Sequence, residues 1–245
     1  MAHRGGFVDP ADELRENTLH AFGRAIEMGY RYLETDVRTT SDGRLMAFHD
    51  PDVSRITGSV GSISDLTFDG LRAILINGID TVPTMDELFE AFPTARFNID
   101  IKEPRAAEPL LASIRAHRAD DRVCVASFDA ASLRRFRKMA GHSIATAASS
   151  RAIGWSALTP FVPRLLNTAG QVFQVPVTHE LRGRVVQVVG PRLIKAAHAR
   201  GKKVHVWTIN DADEMHRLID FGVDGLISDR IDVLKQVAIE RGLWT

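Results

Sequence analysis

Strand-like runs that alternate with helical patterns, in a chain of 245 residues, predict an α/β fold with a parallel sheet. Eight such strand–helix units in that length match the dimensions of a TIM (β/α)8 barrel. Polar residues gathered at the C-terminal ends of the early strands agree with it, because βα loops build the sites of such barrels.

Ala2-His3-Arg4 reads as a short first strand ending in the pair Gly5-Gly6. Glu16-Asn17-Thr18 opens a helix whose apolar face carries Leu19, Phe22 and Ile26 as far as Gly29. The second strand is Tyr32-Leu33-Glu34-Thr35-Asp36-Val37, rich in residues that favour the pleated conformation. Ser41-Asp42-Gly43 then turns the chain into a further strand-like run at 44–50. The Gly/Ser-rich passage that follows, with a short helix near 65–75, breaks the rhythm. Residues 51–83 are therefore expected to be a small insertion after the second strand, within one domain spanning 1–245. A helix from Thr84 to Ala91 restores the alternation. Strands are expected at 96–102, 123–128, 143–148, 171–175, 203–209 and 225–228. Helices are expected at 106–117, 131–139, 191–200, 211–221 and 231–241. The least regular stretch is 151–170, where Pro160, Pro163 and Gly170 disrupt any helix; its Trp155 and Phe161 suit a barrel cover or a partner contact.

Hydrophobic residues at 44% and charged residues at 25% suit a globular chain with a sizeable core. Thirty-one basic residues balance thirty-one acidic ones, so no global field draws in nucleic acid or an anionic membrane. The single cysteine, Cys124, lies in an apolar run and reads as a buried structural thiol. No apolar run approaches the roughly 20 residues that span a bilayer. The first residues lack the apolar segment of a secretory signal, so a cytoplasmic location is the expectation.

Glu34 and Asp36 share one strand face. Taken alone, a solvated acidic edge strand is the plainer reading. Buried together, the two carboxylates need a cation, and a hard divalent ion such as Mg²⁺ or Ca²⁺ takes oxygen ligands. In Asn98-Ile99-Asp100-Ile101-Lys102 the polar residues alternate with isoleucine, so Asp100 and Lys102 add a third carboxylate and an ammonium. His3 and His49 are the natural proton carriers at loop-facing ends of strands. The guanidinium of Arg4 suits a pair of phosphate oxygens. His205 shares a strand face with Trp207, and core packing is expected for it.

His3-Arg4-Gly5, Glu16-Asn17-Thr18, Glu34-Thr35-Asp36-Val37, Asp42-Gly43, His49-Asp50, Asn98-Ile99-Asp100-Ile101-Lys102, Ser127-Phe128, Trp207-Thr208-Ile209-Asn210 and Gly222-Val223-Asp224-Gly225 follow one another in that order. The ordered set resembles the glycerophosphodiester phosphodiesterases, over residues 2 to about 230. The resemblance implies a TIM barrel with an insertion after the second strand. It implies hydrolysis of a small-molecule diester, such as glycerophosphocholine or glycerophosphoethanolamine, to sn-glycerol 3-phosphate and an alcohol, with a divalent cation. By motif, Glu34, Asp36 and Asp100 match the metal ligands, and His3 and His49 the acid/base pair. Arg4 and Lys102 match phosphate contacts, and Trp207 an aromatic wall. Glu16 matches a residue that orders the first loop or reaches the metal or the glycerol hydroxyls.

This chain has Asp100 where the family usually has Glu, and Arg15 where it usually has Pro before Glu-Asn-Thr. Rival readings are a phospholipase-D-like enzyme acting on lysophospholipids, a metal-dependent hydrolase of other substrates, and a non-catalytic barrel that binds a phosphorylated polyol. No histidine or carboxylate of the set is lost, which favours the enzyme. Head-group preference and oligomeric state have no motif.

Overall fold

Strands buried on both faces need helices outside and side chains inside, and the computed structural model has that arrangement. It describes residues 1–148, 169–181 and 183–244. The barrel strands are β1 (Ala2–Phe7), β2 (Tyr32–Thr39), β3 (Arg96–Ile101), β4 (Val123–Ala126), β5 (Ala145–Thr146), β6 (Val172–Pro176), β7 (Lys203–Trp207) and β8, in two pieces (Gly225–Leu226 and Ser228–Arg230). Each pairs in parallel with its sequence neighbours; a bridge between Ala147 and Val172 joins β5 to β6. Pairing of Ala2 with Ser228 brings the last strand back to the first. The result is a closed TIM barrel, as its alternation predicts.

The return helices are α1 (Leu19–Glu27), α2 (Met85–Ala91), α3 (Ala107–Ala116), α4 (Ala130–Ala140), α5 (Pro191–His198), α6 (Ala212–Phe221) and α7 (Ile231–Glu240). Their starts follow from capping residues. Thr84 and Glu87 form a reciprocal capping box on α2, and Asp129 and Asp211 cap α4 and α6. Phe22 and Phe89 pack edge-to-face on Phe97 of β3 at 6.3 and 5.4 Å, fastening α1 and α2 to the sheet. Full burial of side chains of this size contributes about 1.5–3 kcal/mol each.

The run at 44–50 is shorter than expected. Only Leu45–Ala47 pairs, and it runs antiparallel to β2, because the Asp42-Gly43 turn folds the chain back along that strand. The insertion has its own apolar cluster, in which Val53, Ile56, Ile63, Leu71, Ile76 and Val82 gather against Met46 and Phe48. Its helical pieces, Ser54–Thr57 and Phe68–Arg72, are single turns, and Leu75–Ile76 pairs with Asp80–Thr81 as a small hairpin. A second hairpin that the sequence did not signal, Thr178–Leu181 with Arg184–Gln187, follows β6. Trp155 and Phe161 lie outside the described residues. No described helix is long and apolar enough to cross a membrane.

Candidate active site

Strand register decides which polar side chains meet. His3 lies beside Glu34, and Glu34 beside Asn98, as one layer of the barrel. In the next layer Asp36 lies beside Asp100. Lys102, two residues beyond Asp100, keeps to the same face. These side chains line a cavity of about 180 Å³, whose wall also includes Arg4, His49, Phe128, Gln174 and Trp207.

The first loop is built on Glu16-Asn17-Thr18. Thr18 caps α1 by accepting from the Ala21 amide at 3.1 Å. Asn17, fully buried, donates to Asp36 Oδ2 at 3.2 Å and accepts from the Thr35 hydroxyl at 2.8 Å. Glu16 accepts from Arg4 Nη1 at 3.1 and 3.2 Å. Arg4 has φ +50°, a conformation that costs a non-glycine residue about 1 kcal/mol or more. Its amide donates to Glu34 at 3.2 Å and its carbonyl accepts from the Asn17 amide at 2.8 Å, which hold it there. Beyond it, a Cβ on Gly5 would lie 2.6 Å from Ala21 Cβ, so α1 approaches β1 only because residue 5 has no side chain.

Both histidines are held by carboxylates. His3 Nδ1 lies 2.5 Å from Asp229 Oδ1, and Asn210 Nδ2 donates to Asp229 Oδ2 at 2.8 Å. His49 Nδ1 lies 2.6 Å from Asp50 Oδ1, and Arg55 Nε donates to Asp50 Oδ2 at 2.6 Å. A carboxylate at Nδ1 orients the ring and favours a proton there, which leaves Nε2 for proton transfer. Burial lowers the His3 pKa, but Glu34 and Asp229 outweigh it and the net shift is upward. Burial moves His49 downward, against the pull of Asp36.

Desolvation, reinforced by Asp36, pushes the Glu34 carboxyl well above its ordinary range. Burial acts on Asp36 too, but Lys102 and Arg4 overcome it and hold its pKa low. Lys102 Nζ sits 2.9 Å from Asp36 Oδ1 and 2.6 Å from Asp100 Oδ2. Arg4 Nε lies 3.0 Å from Asp36 Oδ2, an ion-pair contact too poorly aligned for a hydrogen bond. Asp100 is still raised to about 6 by burial.

On the far wall, Phe128 and Trp207 meet edge-to-face at 5.5 Å, and Lys102 Nζ lies 5.6 Å from the Phe128 ring centroid. Gln174 and Asn98 exchange amide hydrogen bonds, the shorter 2.6 Å. His205 stands apart from this cavity. It lines another, with Cys124, Tyr32 and Arg96, and its Nδ1 is buried without a hydrogen-bond partner. Burial pushes the Cys124 thiol up to about 12, so it is not a nucleophile.

The model of the glycerophosphoryl diester phosphodiesterase family matches residues 3–233. The chain belongs to that family. It is 35% identical, over its whole length and 92% of the relative, to a probable glycerophosphodiester phosphodiesterase 2 of Mycobacterium tuberculosis. It is 32% identical to a glycerophosphodiester phosphodiesterase of Caldanaerobacter subterraneus subsp. tengcongensis, covering 96% of this chain and 95% of that one. The solved structure of an Oleispira antarctica phosphodiesterase with its product sn-glycerol-3-phosphate is similar, with a TM-score of 0.81 and 22% identity, covering 97% of this chain and 95% of that one.

Membership of a glycerophosphoryl diester phosphodiesterase family raises the question of a divalent ion. The donor chemistry fits one: Glu34, Asp36 and Asp100 are oxygen donors facing one cavity, and Asp100 Oδ1 is buried with no hydrogen-bond partner. As they stand, Lys102 bridges Asp36 and Asp100, while Glu34 turns to the Arg4 amide and lies 3.7 Å from His3 Nε2. Among the described residues no group of three or more His, Cys, Asp or Glu is arranged to hold an ion. In the strand register Glu34 lies one layer away from Asp36 and Asp100, on the same face.

Four residues of the site carried no sequence assignment as partners. Asp229, Asn210 and Arg55 are distant in sequence from the groups they hold, and Gln174 lies in an otherwise apolar strand. Asp50 was legible only as the neighbour of His49.

Proposed function

We propose that this chain hydrolyses glycerophosphodiesters, such as glycerophosphocholine or glycerophosphoethanolamine, to sn-glycerol 3-phosphate and an alcohol. One observation carries the reading. Two carboxylate-held imidazoles, an arginine, a lysine and three carboxylates face a single cavity of a chain in this family. The product held by the similar Oleispira antarctica enzyme supports the substrate class.

Arg4 and Lys102 contact the non-bridging phosphate oxygens and stabilise the charge that grows in the transition state. One of His3 and His49 removes the proton of the attacking hydroxyl, from water or from the adjacent glycerol carbon. A new P–O bond forms, the P–O bond to the head group breaks, and the other imidazole protonates the departing alkoxide. Where the glycerol hydroxyl attacks, the product of this step is a cyclic phosphate, which water then opens at its P–O2 bond to give glycerol 3-phosphate. Glu16 acts through Arg4, whose guanidinium it holds, and Trp207 and Phe128 present an apolar wall to the glycerol carbons. Glu34, Asp36 and Asp100 would hold Mg²⁺ or Ca²⁺. When bound, such an ion polarises a phosphoryl oxygen and neutralises charge.

The test is release of glycerol 3-phosphate from both diesters, with EDTA and then with Mg²⁺ or Ca²⁺ restored. Metal-dependent release is expected. His3→Ala and His49→Ala should each lose at least about 10²-fold in kcat with the fold intact. Turnover near wild type in both variants overturns the assignment.

A further inference from the structure

The resemblance implies proline just before Glu-Asn-Thr, and this chain has Arg15 there. The side chain reaches across the site's edge to the insertion. Arg15 Nε donates to Asp80 Oδ2 at 2.6 Å and Nη2 to Asp80 Oδ1 at 3.1 Å, a two-point bridge. Nη1 donates to Asp12 Oδ1 at 3.0 Å within the first loop. Arg15 and Asp80 are only 13% and 17% exposed, so solvent screens the bridge less than an ordinary surface pair.

A second bridge runs the other way. Arg55, from the insertion, donates through both terminal nitrogens to Glu16, the residue next to Arg15; Nη1 lies 3.2 Å from Oε2. Its Nε holds Asp50, which holds His49. Glu16 in turn holds the Arg4 guanidinium. Neighbouring residues of the first loop thus receive and give an arginine bridge, and both bridges end on the insertion.

We propose that these two crossed bridges form a clasp between the first loop and the insertion, and that the clasp sets Arg4 and His49 for the reaction. Arg15, Asp80 and Arg55 are positioning residues, since none of the three lines the cavity shared by His3, His49 and Lys102. Proline has no side-chain donor, so a chain with proline at 15 lacks the Arg15 half. The positioning role rests on the reading of Arg4 and His49 given above.

Two readouts test it, one of them independent of activity. Amide hydrogen exchange of residues 8–16 and 54–81 is compared in wild type, Arg15→Ala, Asp80→Ala and the double variant. Each single variant should speed exchange about tenfold or more in both segments together, because releasing one side frees the other. The double should be no worse than either single, and the exchanged pair R15D/D80R should recover most of the protection. In steady-state kinetics with glycerophosphocholine, kcat/KM should fall about tenfold in Arg15→Ala and Asp80→Ala. Arg55→Ala should lower kcat about a hundredfold, with partial recovery on adding guanidinium at millimolar concentration and in Arg55→Lys. Unchanged exchange in both single variants overturns the clasp, whatever the activity. Faster exchange with kcat/KM within twofold of wild type overturns the positioning role and leaves a structural tie. A wild type that turns over no diester overturns the function and the positioning role together, while exchange still decides the clasp.

Discussion

His3 and Asp229 stand 226 positions apart in sequence, yet Nδ1 of one lies 2.5 Å from Oδ1 of the other. They meet where the last strand of the barrel closes on the first, and Asn210 holds the second oxygen of the carboxylate. The closure of the fold and the orientation of an imidazole are thus one event. Asp229→Asn should keep the shape while removing the charge that holds the ring. We expect kcat/KM for diester hydrolysis to fall about 10²–10⁴-fold with little change in the unfolding midpoint. Kinetics and a denaturant melt on the same preparation check this; activity within a few fold of wild type refutes it.

Asn17 is the second test. It is buried, has φ +57°, and joins Thr35 to Asp36 through both ends of its amide. Asn17→Ala should leave both partners without it and strain the backbone, costing about 2–4 kcal/mol. Asn17→Gly should relieve only the backbone part. Denaturant midpoints for the two variants, read against wild type, give the comparison. Equal losses would show that backbone strain contributes nothing, and a glycine variant as stable as wild type would show that the amide contributes nothing.

The glycines predict a contrast. Gly5 has φ +88°, and a Cβ there would meet Ala21 Cβ at 2.6 Å and Ala21 C at 2.8 Å. Gly43 has φ +84° and nothing within 4 Å. Gly5→Ala should cost about 3 kcal/mol or more, since α1 must shift, and Gly43→Ala about 1–2 kcal/mol from backbone strain alone. Thermal melts of the two variants rank them, and a Gly43 variant as damaged as the Gly5 variant would contradict the packing account.

His205 gives a pH dependence. Burial holds its pKa down to about 4 in the folded state, against the ordinary 6.5. The unfolded chain takes up the proton first as pH falls, so stability is intact above about 6.5 and is lost progressively toward 4. Between pH 7 and 5 the loss from this group amounts to up to about 2 kcal/mol. In His205→Gln that part of the acid slope should vanish. Denaturant midpoints at the two pH values, for both proteins, measure it; identical slopes would refute it.

The barrel was legible because strands with both faces covered read as apolar runs separated by helical periodicity. Glu34, Asp36, Asp100, Lys102, Arg4 and His49 do line one cavity with His3, as their places at strand ends imply. Register limits what pattern reveals. It shows that Glu34 and Asp36 share a face, but not that Asp100 stands beside Asp36 while Glu34 stands beside Asn98. Asp229 and Arg55 have no local signature, since their roles exist only once the barrel closes and the insertion packs. Arg15 was visible as a departure from the family pattern; its partner, Asp80, sits in a hairpin with no periodicity to betray it.

Arg15 and Asp80 also bear on how this enzyme can be remodelled. A designer who swaps residues 51–83 for a segment with no carboxylate at position 80 leaves Nε and Nη2 of Arg15 without the partner they have here, and only Asp12 to hold the guanidinium. The reverse swap, this segment placed in a relative with proline at 15, strands Asp80. The two stretches behave as one transplantable cassette, and chimaeras that carry residues 8–16 together with 51–83 are the ones to build.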